Sequence, residues 1–287
     1  MRILLIGASG QLGSSLRELL AGEAVAALGH EEIEIADPGS VRRAFAQHRP
    51  EVVINTAAYH RVDECESNVE KSFAVNAFAV RDLALECREA DAALVHFSTD
   101  HVFGGEKRQP HSEEDLPHPL SVYAASKLAG EHLIAAAWPK HFVIRTCGLY
   151  RIGGSKSKGG NFVETMLRKA AAGETIRVVD DQVVTPTHAP ELARKVAQLI
   201  QTKEYGLYHI TCHGECSWYE FAAKIFELAG VGADLRRTNA REFRPPARRP
   251  AYSVLANARL RALGLDDVKH WADALADYFD ERRRLSG

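Results

Sequence analysis

The chain has 287 residues, of which 46% are hydrophobic, and this is enough for one large or two small globular domains. Lysine and arginine number 36 and aspartate and glutamate 38, so the formal net charge of −2 gives no electrostatic case for binding nucleic acid or an anionic membrane. The five cysteines are scattered and odd in number, which predicts no disulfide framework and suits a reducing cytoplasm.

The first predicted strand, residues 2–6, leads into a glycine-rich loop and a helical pattern that runs to about residue 21. Such a unit binds a dinucleotide pyrophosphate, because glycines let the backbone approach the phosphates and the free helix N–H groups face them. The spacing is Gly-x-x-Gly-x-x-Gly rather than Gly-x-Gly-x-x-Gly, and a glycine-rich turn without a ligand is the alternative. The loop residues predicted to bind the cofactor are Gly7, Ser9, Gly10, Gln11, Leu12 and Gly13.

The second predicted strand, residues 24–28, ends where a cofactor ribose would lie. An acidic residue there would hold a 2′-hydroxyl, and a basic residue would suit a 2′-phosphate. The chain offers both His30 and Glu31, so this position does not decide between NAD and NADP. Asp37 or Ser40 is a candidate N-cap of the following helix.

The third predicted strand, residues 52–54, ends at the segment Ala57, Ala58 and Tyr59, where small side chains would let the cofactor pass close to the backbone. A long amphipathic helix is predicted over residues 70–90. Asn76 on this helix either braces the neighbouring loop or is an ordinary surface side chain.

The most informative stretch follows the fourth predicted strand, residues 93–97. Thr99 lies at the strand's carboxyl end, and Tyr123 and Lys127 lie four residues apart, on one face of a predicted helix. A tyrosine hydroxyl can give a proton to a carbonyl oxygen, and a nearby lysine is expected to lower the tyrosine pKa. Tyr-x-x-x-Lys alone is common on helices, usually as a packed ring and a solvated cation. These residues therefore indicate catalysis only if the same chain also binds a dinucleotide.

A fifth strand is predicted over residues 142–146. Strands and helices alternate up to this point, which predicts an α/β fold with a Rossmann-like, doubly wound parallel sheet. In such sheets ligands lie at the carboxyl ends of the strands, so the glycine loop, Ala57, Thr99 and Cys147 are expected to meet in one crevice.

The character of the sequence changes after Tyr150. We expect residues 1–150 to form a dinucleotide-binding domain to which residues 184–211 return, and residues 151–183 and 212–287 to form a smaller C-terminal α/β substrate lobe. The basic loop 151–160 is either a lid over an anionic substrate or a solvated linker. Helices are predicted over 161–172, 189–202, 218–229 with Ser217 as cap, and from about 266.

Two further segments carry polar residues. His209–Cys216 has residue types that could bind zinc, but its alternation around Tyr208 and Ile210 suits a strand, and we predict no metal site. The arginine-rich stretch 241–249 is predicted to be an extended segment that can meet phosphates.

Taken together, these residues resemble the extended short-chain dehydrogenase/reductases and, within them, the dTDP-4-dehydrorhamnose reductase family. The resemblance covers nearly the whole chain. It is carried by the glycine loop 7–13, the Asn-x-Ala-Ala-Tyr segment in 53–63, Ser-Thr-Asp-His-Val-Phe at 98–103, Tyr-x-x-x-Lys-Leu-x-Gly-Glu at 123–131, and the pairs 181–182, 186–187 and 249–250.

The resemblance implies an NAD(P)H-dependent reductase of a nucleotide-linked 4-keto-6-deoxysugar, with NADPH favoured slightly over NADH. Tyr123 would donate the proton, Lys127 would also bind the nicotinamide ribose, and Asp37 could face the adenine ring instead of capping a helix. The substrate-binding residues that it implies are Thr99, Asp100, His101, Asn161 and Arg249.

Three departures from the family lie on the substrate side. His101 replaces a tyrosine, Gly148 replaces a tryptophan, and the loop 151–160 is longer than expected. The alternatives are a nucleotide-sugar epimerase or dehydratase that keeps its cofactor bound, and a non-catalytic NAD(P)-binding regulatory subunit.

The same interpretation predicts which partners the protein binds. We expect it to bind a nucleotide-sugar substrate and to bind neither nucleic acid nor a membrane. A homodimer is possible. No segment approaches the roughly 20 apolar residues of a membrane span, and the first apolar run is too short for a secretory signal, so a cytoplasmic location is expected.

Overall fold

The computed structural model of the protein describes residues 1–153 and 160–286. The predicted loop 151–160 therefore lies largely outside the described residues, and the lid and linker interpretations both stay open. The strands are β1 Arg2–Ile6, β2 Ala24–Leu28, β3 Val52–Asn55, β4 Ala93–Thr99, β5 His141–Thr146, β6 Leu149–Tyr150, β7 Ile176–Val179, β8 Val183–Val184, β9 Thr187–His188, β10 Gly206–His209, β11 Cys216–Ser217 and β12 Leu235–Thr238.

Twelve α-helices are described alongside these strands. They are α1 Gln11–Leu19, α2 Pro38–His48, α3 Val62–Ser67, α4 Val69–Phe73, α5 Ala79–Glu89, α6 Val122–Ala137, α7 Phe162–Ala171, α8 Ala189–Leu199, α9 Trp218–Ala229, α10 Ala240–Phe243, α11 Ala258–Ala262 and α12 Trp271–Ser286.

The central sheet has six strands in the order β10-β5-β4-β3-β1-β2, and every pair is parallel. Its strands are apolar runs because helices cover both faces, so that Leu4 and Leu5, which point to opposite faces, are both fully buried. Along the chain, β2 is added on one side of β1, whereas β3, β4 and β5 are added on the other side, so the winding of the sheet changes direction between β1 and β3. The prediction of a doubly wound, Rossmann-like parallel sheet is confirmed, and its carboxyl edge carries the crevice that such sheets use for ligands.

The predicted helix over residues 70–90 contains one π-helical turn, Ala74–Phe78, between α4 and α5. The turn lies against α6 at very close range, because a Cβ on Gly130 would be 2.2 Å from Asn76 O. A helical periodicity of 3.6 gives no signal for a π-turn, and such turns are frequent at functional sites.

A second core lies beside the sheet and is formed by α7, α9, α12 and β7. Helix α9 begins with the predicted cap, because the Ser217 side chain accepts from Glu220 N and the Glu220 carboxylate accepts from Ser217 N. The last helix begins at Trp271 rather than near residue 266. Asp266 instead accepts a hydrogen bond from Asn257 at 2.9 Å, and the Trp271 amide donates to His213 O. The division into a dinucleotide domain and a substrate lobe stays a prediction.

Within the described parts of the chain, no helix combines the length and the apolar composition that crossing a membrane requires. The predicted extended segment 241–249 begins as the short helix α10, which Asn239 caps through Glu242 N.

Candidate active site

The glycine loop turns tightly between β1 and α1. Gly7 has a φ of 80°, and a Cβ there would lie 2.5 Å from Thr56 Oγ1. A Cβ on Gly13 would lie 2.2 Å from Gly7 O, so α1 packs directly on the turn. Gly10 is the N-cap of α1 and provides no side-chain hydrogen bond. The first N–H groups of the helix can therefore bind an anion. Binding of the cofactor stays a prediction for Gly7, Ser9, Gly10, Gln11, Leu12 and Gly13.

Gln11 has partners that the sequence did not indicate. Its Oε1 accepts from Arg151 N at 3.1 Å and from Asn161 Nδ2 at 3.0 Å, and its Nε2 donates to Leu149 O at 3.3 Å. Gln11 therefore ties the start of α1 to residues on both sides of the basic loop.

The end of β2 carries two predicted cofactor residues. His30 is largely exposed, with its Nδ1 3.7 Å from Glu34 Oε2. Asp37 Oδ1 accepts from Gly39 N at 2.9 Å and caps α2. The cap interpretation of Asp37 is confirmed, whereas contacts of His30 and Asp37 with a cofactor stay predictions.

The loop after β3, residues 57–59, is braced by Asn76. Asn76 Oδ1 accepts from Tyr59 N at 2.9 Å, and its Nδ2 donates to Tyr59 O at 2.9 Å and to Ser126 Oγ at 3.1 Å. Asn76 is buried, so the bracing role is confirmed over the surface role. The predicted cofactor residues Ala57, Ala58 and Tyr59 are thereby held next to α6.

Thr99 and Tyr123 come together at the carboxyl edge of the sheet. Thr99 is the last residue of β4, and its Oγ1 donates to Asp100 Oδ1 at 3.1 Å and accepts from His101 N at the same distance. Tyr123 is in the first turn of α6, which the Ser121 side chain caps. Burial raises the pKa of Tyr123, and the neighbouring Thr99 hydroxyl opposes that rise. Tyr123 is therefore a phenol that can donate its proton.

Lys127 contacts a partner that the sequence analysis missed. Its Nζ lies 2.9 Å from His96 Nε2, and both side chains are buried. Burial lowers the pKa of Lys127 to about 8. The expectation of a lowered Tyr123 pKa was wrong, because burial, which raises the pKa of the phenol, is the largest effect. The available signal was a histidine inside an otherwise apolar strand.

Replacing Lys127 with methionine is expected to stabilise the fold while removing a functional group. The lysine pKa falls from 10.5 in the unfolded chain to about 8 in the fold, so below about pH 8 the buried charge costs about 3 kcal/mol. The unfolded chain binds the extra proton between these values, so the parent gains stability relative to Lys127→Met as the pH rises. Denaturant unfolding at several pH values measures this difference, and a variant that is less stable at neutral pH would contradict the prediction.

Asp100 and Asn161, two of the predicted substrate-binding residues, both make hydrogen bonds within the protein. Asp100 is buried, and its Oδ2 accepts from Ser253 Oγ at 2.6 Å. Asn161 caps α7 with its Oδ1 and donates from Nδ2 to Gln11. Both side chains thus make contacts within the protein, and their substrate role stays a prediction.

A cavity of about 380 Å³ opens where the second core meets the carboxyl edge of the sheet. His101 lines it and contacts the Tyr123 ring edge-on, with centroids 5.9 Å apart. The cations among its lining residues are Lys169, Arg177 and Arg249, the aromatic rings are Phe162, Trp218 and Phe243, and no described lining residue is acidic. Such a lining suits a ligand with an aromatic ring and negative charge.

Trp218 is a second residue that the sequence analysis missed. Gly148 has a φ of 53°, and a Cβ there would lie 3.3 Å from the Trp218 ring and from Pro186 Cα. A side chain at position 148 would therefore crowd Trp218, which packs on Phe162 with centroids 4.8 Å apart. The tryptophan that the family places at position 148 is absent here, and an indole from α9 stands beside that position.

The segment around His209 shows no sign of a metal site. Among the described residues, no group of three or more histidine, cysteine, aspartate or glutamate side chains is placed to hold a metal ion. All five cysteines lie in the described part of the chain, where they are buried and form no disulfide.

A family model and several known proteins are similar to this chain over nearly its whole length. The family model described as "RmlD substrate binding domain" matches residues 1–284. The Bacillus subtilis spore coat polysaccharide biosynthesis protein SpsK is 40% identical, covering 98% of both chains. A dTDP-4-dehydrorhamnose reductase of Streptomyces griseus is 41% identical, covering 97% of this chain and 93% of the relative.

A solved structure agrees in shape as well as in sequence. The dTDP-4-dehydrorhamnose reductase of Bacillus anthracis, determined in complex with NADP, is 35% identical with a TM-score of 0.93, covering 98% of this chain and 99% of its own. The match of the family model over nearly the whole chain and this agreement in fold show that the chain belongs to the RmlD substrate binding domain family, as its resemblance to dTDP-4-dehydrorhamnose reductases implied.

Proposed function

We propose that this protein is an NADPH-dependent reductase of a nucleotide-linked 4-keto-6-deoxysugar, with dTDP-4-dehydrorhamnose as its substrate. The observation that carries the proposal is the position of Tyr123. Its phenol lies beside Thr99 at the strand edge, and its ring contacts His101, which lines the cavity. A proton donor beside a cavity of basic and aromatic character, on the same edge as a glycine loop, fits carbonyl reduction.

The glycine loop fits a dinucleotide. The turn at Gly7 and the contact at Gly13 leave no room for side chains, which is what a backbone cradle for a pyrophosphate requires. When bound, NADPH supplies the hydride for the sugar's carbon 4. Tyr123 gives the proton to the carbonyl oxygen, Thr99 orients that oxygen, and Lys127 would hold the nicotinamide ribose. The relative from Bacillus anthracis, with its bound NADP, supports NADPH over NADH.

The cavity supplies the chemistry for a nucleoside diphosphate. Phe162 and Trp218 offer aromatic faces for a base, and Arg177 and Arg249 offer guanidinium groups for the two phosphates. Arg249 also pairs with Asp63 at 2.9 Å, so the arginine is held in place from α3.

We also propose a cytoplasmic enzyme that forms a homodimer. Five buried thiols suit a reducing compartment. Val69 and Phe78, which are 46% and 58% exposed at the two ends of the helical stretch 69–78, offer apolar surface for a second copy. Light scattering at several protein concentrations would test the dimer.

The test of the proposed function is an assay of the purified protein with NADPH or NADH and dTDP-4-dehydrorhamnose. Stoichiometric oxidation of the nucleotide, with the reduced sugar as product, is the expected result. Tightly copurifying NAD with no net oxidation would instead favour an epimerase or dehydratase. No turnover with any nucleotide ketosugar, together with a stoichiometric partner enzyme in pull-down, would favour a regulatory subunit.

A further inference from the structure

Two carboxylates on the short helix α3 bond to segments that are distant in the sequence. Asp63 and Glu66 are three positions apart, which places their side chains on the same face of a helix. Asp63 accepts from Ala247 N at 3.1 Å and from Arg249 Nη2 at 2.9 Å. Glu66 Oε1 accepts from Val122 N at 2.9 Å. Helix α3 therefore contacts both the segment that carries Arg249 and the start of α6.

Glu66 restrains the first turn of the helix that carries the candidate proton donor. Val122 is the first residue of α6, and Tyr123 follows it directly. The first N–H groups of a helix have no partner within the helix, so they depend on other groups. The Ser121 side chain accepts from Ala124 N at 3.2 Å, whereas Glu66 accepts from the amide next to Tyr123. Because Glu66 belongs to another helix, its bond fixes the start of α6 relative to α3.

Helix α3 is itself anchored in the protein. Cys65, which lies between Asp63 and Glu66 in the sequence, is fully buried, and its Sγ donates to Tyr59 O at 3.8 Å. Tyr59 is held in turn by the buried Asn76, which bonds both its N–H and its C=O. The two carboxylates therefore extend from a helix with a fixed position.

A sugar nucleotide would reach both of the groups that α3 supports. Its diphosphate and its keto carbon are separate parts of one molecule, and we assign the diphosphate to Arg249 and the carbonyl oxygen to Tyr123. A misplacement of about 1 Å in an active site can cost on the order of 10²-fold in rate. The separation of the guanidinium and the phenol therefore matters for turnover.

We propose that Asp63 and Glu66 are positioning residues that together set the separation of Arg249 and Tyr123. The inference rests on the proposed function, because that function assigns the diphosphate to the arginine and the proton transfer to the tyrosine. Asp63 acts on substrate binding through the Arg249 guanidinium. Glu66 acts on proton transfer through the start of α6.

Two conservative substitutions of Glu66 separate the reach of its side chain from its charge. Glu66→Asp keeps the charge but is one methylene shorter, so its carboxylate no longer reaches Val122 N. Glu66→Gln loses the charge but keeps an oxygen that can accept from the same amide. We expect Glu66→Asp to lower turnover about tenfold with little change in the Michaelis constant for the sugar nucleotide. Glu66→Gln should stay within a factor of about three of the parent.

Asp63→Ala should show the opposite division between the two constants. The Asp63 side chain is 43% exposed, so the fold should tolerate its loss. The Michaelis constant for the sugar nucleotide should rise about threefold to tenfold, the range of one hydrogen bond, while turnover changes little. Calorimetric titration with thymidine diphosphate gives a readout without turnover. Asp63→Ala should weaken this binding by a similar factor, and Glu66→Asp should leave it unchanged.

Glu70→Ala is the matched control, because it removes an exposed carboxylate from the neighbouring helix α4. It should behave as the parent does in every measurement. Parent-like turnover in Glu66→Asp, or an equally large loss in Glu66→Gln, would overturn the role of Glu66. An unchanged Michaelis constant and an unchanged affinity for thymidine diphosphate in Asp63→Ala would overturn the role of Asp63.

The parent enzyme is measured first, so that two failures can be told apart. No turnover of any nucleotide ketosugar by the parent would contradict the proposed function, and this inference with it. An active parent whose Asp63 and Glu66 variants keep its kinetics but lose thermal stability would contradict the inference alone, because the two carboxylates would then be structural.

Discussion

Tyr123→Phe is expected to lower turnover by about 10²-fold or more while NADPH binds as it does to the parent. The change removes one oxygen atom, which is the atom that gives its proton to the substrate carbonyl, and a positioned general acid contributes roughly 10²–10⁴-fold. The ring packing against His101 is kept, so the fold should be unaffected. Steady-state kinetics and cofactor titration measure the two quantities separately.

Tyr205→Phe is the matched control for this experiment. It makes the same chemical change on a ring that packs against Phe142 just before β10, at the opposite edge of the parallel sheet. Its turnover should stay close to that of the parent. A Tyr123→Phe enzyme whose turnover stays within a factor of about three of the parent would remove Tyr123 from the mechanism.

Arg249→Ala is expected to raise the Michaelis constant for the sugar nucleotide by about tenfold or more. A charge-assisted hydrogen bond is worth roughly 1.5–3 kcal/mol, and the guanidinium lines the cavity that we assign to the nucleoside diphosphate. Affinity for NADPH should change little, because the glycine loop that is expected to hold it lies elsewhere on the sheet edge.

Two variants separate substrate binding from a structural role of Arg249. Arg248→Ala removes the same charge from an exposed neighbour that does not line the cavity, and its Michaelis constant should be unchanged. Asp63→Asn removes the carboxylate that pairs with Arg249 while keeping the arginine. If Arg249→Ala loses thermal stability but keeps the parent's Michaelis constant, the arginine is structural.

The sequence alone predicted the features that depend on residues close together along the chain. The apolar runs and their alternation with helical patterns predicted the parallel sheet, because a strand covered on both faces must be apolar along its length. Thr99 was placed at a strand end, and Tyr123 and Lys127 on one helix, because neighbouring positions and a spacing of four are settled within a single element. The cap Ser217 was predicted correctly for the same reason, and Asp37, one of two candidate caps, is the residue that caps α2.

The tertiary structure decided which polar groups meet. His96 and Lys127 are 31 positions apart, and Arg249 and Asp63 are 186 apart, so no local pattern pairs them. From the sequence, Asn76 could either brace a loop or face solvent. The structure places it in the π-turn, packed closely against Gly130 of α6. The shift of the Tyr123 pKa was predicted with the wrong sign, because the spacing of Tyr123 and Lys127 says nothing about the burial that raises it. Hydrogen-bond partners and desolvation depend on three-dimensional neighbours, and only the folded chain supplies them.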